Sequence, residues 1–185
     1  MNDEARAVAV ACDLMALSAR TAPKAKGEDS LVTRIATGDE LVRLSEAMRE
    51  AGAREKRSIF ERDAGNVAAS AACLLLGIRG TEAVGIDCGG CGYGTCAAMV
   101  EAATAQGAAR TAYGAPNCVM KVTDLGIAIG SAVKTASILN LDNRVMYTAG
   151  VAGLALGWLA GCTVACGVPV SATGKNIYYD RSFGR

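Results

Sequence analysis

The sequence predicts a mixed α+β domain in which helices surround a small central sheet, and three observations carry that prediction. Stretches with apolar residues at helical spacing alternate with a few short apolar runs rich in β-branched residues. The chain of 185 residues is long enough to bury one core without disulfides. No internal repeat, low-complexity tract or linker divides it, so residues 1–185 read as a single domain.

Taken in order, Asp3–Arg20 sets Val8, Ala11, Cys12, Met15 and Leu17 near helical spacing and stops at Ala22–Pro23. Leu31–Thr37, bounded by Gly38, suits a short strand. A helix follows from Asp39 to about Ala51, with Leu41, Leu44 and Met48 inward and an acidic first turn that the helix dipole favours. Ser58–Ser70 reads as a helix, and Ala72–Ile78 as a buried central strand closed by Arg79–Gly80. Ala83–Asp87 is a further short apolar run, and Thr95 to about Gln106 a helix of small residues. Asp124–Leu139 is expected to pack closely through Gly126, Ala128, Gly130, Ala132 and Ala136, with Asp142–Leu159 as a second helix. Thr163–Val168 is a strand candidate, and Ser171–Arg185 a polar tail.

Composition narrows the function classes. Nineteen Lys and Arg against eighteen Asp and Glu give no basic excess for gripping a phosphate backbone, so no nucleic-acid partner is expected. With no histidine, the usual proton shuttle near neutral pH and the commonest nitrogen ligand are both missing, and any metal must rest on thiolates or carboxylates. The same lack argues against a hydrolase. The acidic opening Met1–Asn2–Asp3–Glu4 is unlike a signal peptide, so the eight cysteines read as reduced thiols of a cytoplasmic protein. No charge occurs between Arg144 and Lys175, a run longer than the ~20 residues that span a bilayer. Its glycines and Pro169 fit a helix followed by a buried strand better, and no membrane segment is expected.

The most informative segment is residues 87–118. There Cys88, Cys91, Cys96 and Cys118 form C-x2-C-x4-C-x21-C, with glycines between the first three. Four thiolates make one complete ligand set for an iron–sulfur cluster, and glycines let the backbone fold around it and turn N–H groups toward its sulfides. A four-cysteine zinc site in a structural or sensing module is the alternative; its usual paired C-x2-C knuckles are not both present, which favours the cluster. Cys118 stands apart and requires the chain to fold back through Gly114–Asn117. The overlapping Gly92-x-Gly94-x-x-Ala97 resembles a dinucleotide fingerprint but lacks a long preceding strand and the acidic residue beyond.

Outside this loop, Cys162 and Cys166 form a C-x3-C that core burial explains best, as it does Cys12 and Cys73. Two basic, glycine-containing turns are candidates for holding an anionic cofactor: Arg20, Lys24 and Lys26 in one, Lys175 and Asn176 in the other. The second is no P-loop, because Pro169 replaces its first glycine and Asn176 its Ser/Thr. Arg110 and Lys121 flank Cys118 in sequence and are expected to be solvated.

The stretches Arg20–Gly27, Asp87–Cys96, Pro116–Cys118, Asp124–Ser137 and Ser171–Arg181 together resemble the family of ferredoxin-domain-containing proteins. That resemblance implies a [4Fe–4S] cluster on Cys88, Cys91, Cys96 and Cys118. The cysteine loop is also similar to the cluster-binding domains of corrinoid iron–sulfur proteins. More distantly, the order of helix, Ala22–Pro23, turn, strand and helix resembles flavin-dependent nitroreductases, as do Asp124–Leu139 and the Gly-x-Pro turn at Gly167–Pro169. It implies a homodimer with FMN at the interface and the cluster loop as an insertion. Departures are the absence of a basic phosphate-binding motif before the first helix and Ala22-Pro23-Lys24 in place of Ala-Pro-Ser. The function expected is a redox protein of anaerobic metabolism, a flavin-dependent iron–sulfur oxidoreductase or an electron carrier, whose partner is a redox protein or a small-molecule acceptor.

Overall fold

A computed structural model describes residues 3–107, 111–114 and 116–179. Four strands, β1 (Leu31–Thr37), β2 (Ala72–Ile78), β3 (Asp142–Asn143) and β4 (Val164–Ser171), form one antiparallel sheet in the order β1-β2-β4-β3. Six helices cover it: α1 (Asp3–Thr21), α2 (Asp39–Glu55), α3 (Ile59–Ala68), α4 (Cys96–Gln106), α5 (Val119–Ile138) and α6 (Tyr147–Ala155). The class is the mixed α+β expected.

β2 is buried along its whole length, and strand alternation divides its side chains between two cores. Ala72, Leu74, Leu76 and Ile78 face α1 and α5. Cys73 and Leu75 face α2, α3 and α6, where Phe60, Leu44 and Met48 fill the layer. A smaller third core of Val84, Met99 and Cys118 lies beside the cysteine loop, with Cys91 and Tyr93 packed against it.

β1 and β2 occupy the predicted residues, α1 to α4 lie within about four residues of theirs, and α5 begins at Val119 rather than Asp124; local patterning fails in the following places. Asp142–Leu159 is not one helix. Asp142 and Asn143 pair with Ser171 and Val170, and Met146 exchanges two 2.8 Å backbone bonds with Gly167, so the helix begins only at Tyr147. Ala83–Asp87 is a loop, with Gly85 and Asp87 at φ 74° and 46°. The Gly-x-Pro turn expected at Gly167–Pro169 lies inside β4. Thr163, Ala165 and Gly167 turn their carbonyls to the sheet's outer side, accepting from the Gly114 N–H, the Tyr113 hydroxyl and the Met146 N–H. By alternation Pro169 presents its missing N–H on that side, away from β2, and the strand tolerates it.

Two helix faces also differ from expectation. Leu17, assigned inward, is 58% exposed, and Ala19 takes the buried position. On α5, Ala128, Ala132 and Ala136 are buried as predicted, but Gly126 and Gly130 face outward with nothing within 4 Å of a Cβ added to either. The charge-free run resolves into α6 and β4, and among the described residues no helix is long and apolar enough to cross a membrane.

Candidate metal centre

Cys118 is the N-cap residue of α5, buried to 4% exposure. Its N–H donates to the carbonyl of Gly80 at 2.7 Å, just past the end of β2. The neighbouring Asn117 ties the same place to β4: its amide nitrogen donates to Gly114 O at 2.5 Å, and its oxygen accepts from the Thr163 hydroxyl. Thr163 Oγ1 in turn accepts from the Gly80 N–H at 3.1 Å. A Cβ on Gly80 would collide with the Asn117 side chain, so this position requires glycine. These bonds produce the fold-back that the assignment of Cys118 demands.

The loop carrying the other three thiols lies against the same helix start. Gly89 and Gly92 adopt φ 69° and 86°, which glycine reaches without strain, and the Gly92 N–H donates to Gly89 O at 3.0 Å, closing a turn around Cys91. A Cβ on Gly90 would come within 2.7 Å of Val119 Cγ1, so the loop touches the first residue of α5. Cys96 opens α4; Asp87 Oδ1 accepts its N–H at 2.6 Å, and Thr95 caps the helix by accepting from Ala98 N at 3.2 Å. Cys96 and Cys118 therefore sit at helix starts, whose partial positive charge suits thiolates.

Cys91 packs on the small core with Cys118, Cys96 is half-buried and Cys88 is exposed. Among the described residues no three Cys, Asp or Glu side chains are already gathered at metal-binding distance. What the fold supplies is a glycine-hinged loop on the helix that bears the fourth cysteine, and the four soft donors fit an iron–sulfur core.

Buried charge surrounds this end of the sheet. Lys121, expected in solvent, is 1% exposed, one helical turn from Cys118, and its ammonium donates to Glu28 O at 2.9 Å. A charged residue in a helical pattern is ordinarily solvated, and only the distant carbonyl makes this burial affordable. Asp124, also buried, accepts the Ala25 N–H at 2.9 Å through Oδ1, while Oδ2 has no partner among the described residues. Sequence reasoning missed Asp124, which reads as an ordinary acidic residue at a helix start. Arg110 lies outside the described residues.

The two candidate cofactor turns do not meet within one chain. Lys24 folds back on the end of α1, donating to Arg20 O at 2.6 Å and Ala22 O at 2.8 Å. Lys26 donates to Val84 O at 3.1 Å, and Arg20 pairs with Asp29 at 2.6 Å. Lys175 and Asn176 follow the opposite end of β4, roughly 23 Å away at about 3.3 Å per residue. There Asn176 Oδ1 accepts the N–H of the buried Tyr178 at 3.1 Å.

The remaining thiols are high-pKa groups. Burial pushes Cys12 up to about 11, with Asp13 adding to it, and burial also raises Cys73. Cys162 is held near 11, chiefly by burial, and Cys166 is raised by burial against a hydrogen bond with Tyr113. Both are half-buried rather than sealed in the core. Iodoacetamide at pH 8, applied to the reduced, metal-free protein, is expected to label Cys88 first and to spare Cys12 and Cys73 until the chain unfolds. Peptide mass mapping checks this, and native-state labelling of Cys73 would contradict the burial of β2.

A family model described as an uncharacterized protein containing a ferredoxin domain (DUF2148) matches residues 114–181. An uncharacterized protein of Archaeoglobus fulgidus is 42% identical over 178 residues, covering 95% of this chain and 92% of the relative. The chain belongs to the ferredoxin-domain family. Among solved structures, a nitroreductase with bound FMN from Desulfitobacterium hafniense is similar with a TM-score of 0.55 and 15% identity, over 95% of this chain and 80% of that one. A nitroreductase-like protein from Bacillus cereus gives 0.57 and 10%, over 95% and 79%. The ferredoxin-domain protein thus has a nitroreductase-like fold, and its family points to a redox role. The matched segment contains Cys118, Lys175 and Asn176 but begins after the Cys88–Cys96 loop.

Proposed function

We propose that this protein transfers single electrons through one [4Fe–4S] cluster held by Cys88, Cys91, Cys96 and Cys118, passing them to FMN or to the acceptor of a redox partner. The observation that carries the reading is the seating of the cysteine loop on the first residue of α5, beside buried Cys118. A cluster supplies one-electron chemistry when bound. The chain's own part is to fix Cys118 through Gly80, Asn117 and Thr163, to turn the loop at Gly89 and Gly92, and to limit water around Cys91 and Cys118 with Val84 and Met99. Flavin binding rests on the fold alone. Arg20, Lys24 and Lys26 are separated from Lys175 and Asn176 within one protomer, so those residues form no single FMN cradle there and no step is assigned to it.

Anaerobic purification followed by iron, sulfide, zinc and flavin analysis of the same sample tests the proposal. Iron and sulfide in equal amounts, with broad absorption near ~400 nm, are expected. One zinc per chain from iron-replete, oxygen-free cultures would replace this reading with the structural four-cysteine module.

Lys121 offers a finer test. Two unit charges about 7 Å apart at an effective dielectric constant of about 20 interact by about 2 kcal/mol, which sets the scale of such an effect at on the order of 100 mV for one electron. Lys121→Met is therefore expected to lower the reduction potential, while Lys121→Arg keeps it close to that of the parent protein. Protein-film voltammetry reads both, and an unchanged potential in the methionine variant would exclude a tuning role.

A further inference from the structure

A cavity of about 460 Å³ opens between the C-terminal ends of α2 and α6 and the start of β4. Val151, Leu154 and Ala155, at i, i+3 and i+4, turn one apolar face of α6 into it. Cys162 also lines it, with Sγ so close over β2 that a Cβ on Gly77 would come within 2.9 Å. Arg54, exposed in the last turn of α2, has no ion pair or hydrogen bond among the described residues. No acidic side chain lines the cavity among those residues, and burial keeps Cys162 a neutral thiol, so nothing there answers the charge of Arg54.

Thr163 completes the lining and faces two ways. Its methyl lies against Gly114, where an added Cβ would approach Cγ2 to 3.2 Å, while its hydroxyl accepts the Gly80 N–H and donates to Asn117 Oδ1. The residue that walls the cavity is thus one of those that seat Cys118.

We propose that this cavity binds a small organic carboxylate, held by Arg54 and by the apolar face of α6, and that its occupancy is coupled to the metal centre through Thr163. The volume falls in the range of small-molecule sites. A guanidinium offers paired N–H donors in the planar fork that matches a carboxylate. Phosphate suits the place less, because one arginine balances only part of a dianion and the apolar face of α6 would desolvate the rest. That same face can cover a hydrocarbon body. Val151 and Cys162 belong to the core on the α2, α3 and α6 side of the sheet, across it from α1, on whose end Lys24 folds. The site is therefore separate from the turn of Arg20, Lys24 and Lys26.

The coupling rests on the proposed cluster; the cavity as a binding site does not. A carboxylate beside an anionic cluster binds the oxidised protein more tightly than the reduced one, so by linkage its binding lowers the reduction potential.

The test uses benzoate as the probe, titrated by ligand-observed NMR into the full chain purified anaerobically. A dissociation constant on the order of 1 mM or tighter is expected for a ligand of this size. Binding should be about tenfold weaker in Arg54→Gln, and about tenfold weaker for neutral benzamide on the parent chain. It should be lost in Ala155→Trp, where the introduced indole fills the cavity from an exposed helix end. Circular dichroism and thermal unfolding of both variants are expected to match the parent chain. Benzoate should also slow the alkylation of Cys162 by iodoacetamide and leave the rate at Cys166, half-buried but outside the cavity lining, unchanged. A parent chain that does not bind benzoate, affinity unchanged in the two variants, no protection of Cys162, or inorganic phosphate bound more tightly than benzoate overturns the carboxylate site. In cluster-bearing protein, saturating benzoate is expected to lower the reduction potential, by about 59 mV for each tenfold preference for the oxidised state. An unchanged potential overturns the coupling through Thr163 and leaves the site. If no cluster assembles in the parent chain, the coupling falls with the electron-transfer reading, and the cavity is judged by the binding and protection measurements alone.

Discussion

Cys118→Ser is expected to abolish assembly of an intact [4Fe–4S] cluster while leaving the fold in place. The two effects separate because Cys118 contributes to the fold through its backbone. Its N–H bond to Gly80 O survives the substitution, and Asn117 still bridges to Thr163. Serine at a helix N-cap is among the favoured residues, and the cysteine makes no side-chain capping bond of its own, so α5 loses nothing. What disappears is one of the four proposed soft donors, and of these four cysteines Cys118 alone is buried. After anaerobic reconstitution, iron per chain should fall from about four to well below one, with far-UV circular dichroism unchanged. A Cys118→Ser variant with an unaltered cluster would remove Cys118 from the set and return Cys162 or Cys166 to contention.

How much of this site could be read from the sequence follows from the range of the interactions involved. β1 and β2 are legible because Leu31–Thr37 and Ala72–Ile78 are uninterrupted β-favouring or apolar runs punctuated by Gly38 and Gly80. The C-x2-C-x4-C spacing is equally local. The meeting of the loop with Cys118 is not, since it depends on Gly80, Asn117 and Thr163, residues scattered along the chain and joined to one another and to Cys118 by three hydrogen bonds. The same difficulty hid β3: in Asp142–Leu159 the small apolar residues suit a helix, and only pairing with Gly167, Val170 and Ser171 dictates otherwise. Lysine misleads in two ways. Lys24 and Lys26 suggest a phosphate cradle by composition, yet their ammonium groups reach backbone carbonyls; Lys121 suggests solvent, yet Glu28 O receives it inside. A hydropathy pattern records burial averaged over a face and carries no information about a single distant acceptor.

Gly150→Ala should be the most destabilising of the conservative glycine substitutions, lowering stability by about 3 kcal/mol net. On helix propensity alone the change would gain about 1 kcal/mol, and at Gly65, where an added Cβ meets nothing within 4 Å, that gain should appear. At Gly150 the new methyl would fall on the carbonyl of Ala165 and 2.6 Å from the Cα of Cys166. Both obstacles are backbone in β4, paired to β2 on its other side, so no side-chain rotation relieves them. α6 must lift from the sheet, opening a layer in which Thr148, Ala149, Val151 and Ala152 are all buried. For a chain of this size the expected fall in Tm is about 6–12 °C, measured by thermal or urea unfolding of Gly150→Ala beside Gly65→Ala. Equal stability in the two variants would mean that α6 has room that the packing denies. The strain also reaches the proposed metal centre: Ala165 lies two residues from Thr163, whose hydroxyl joins Asn117 to Gly80, so under the proposed function Gly150→Ala should assemble a cluster less completely than Gly65→Ala in the same reconstitution.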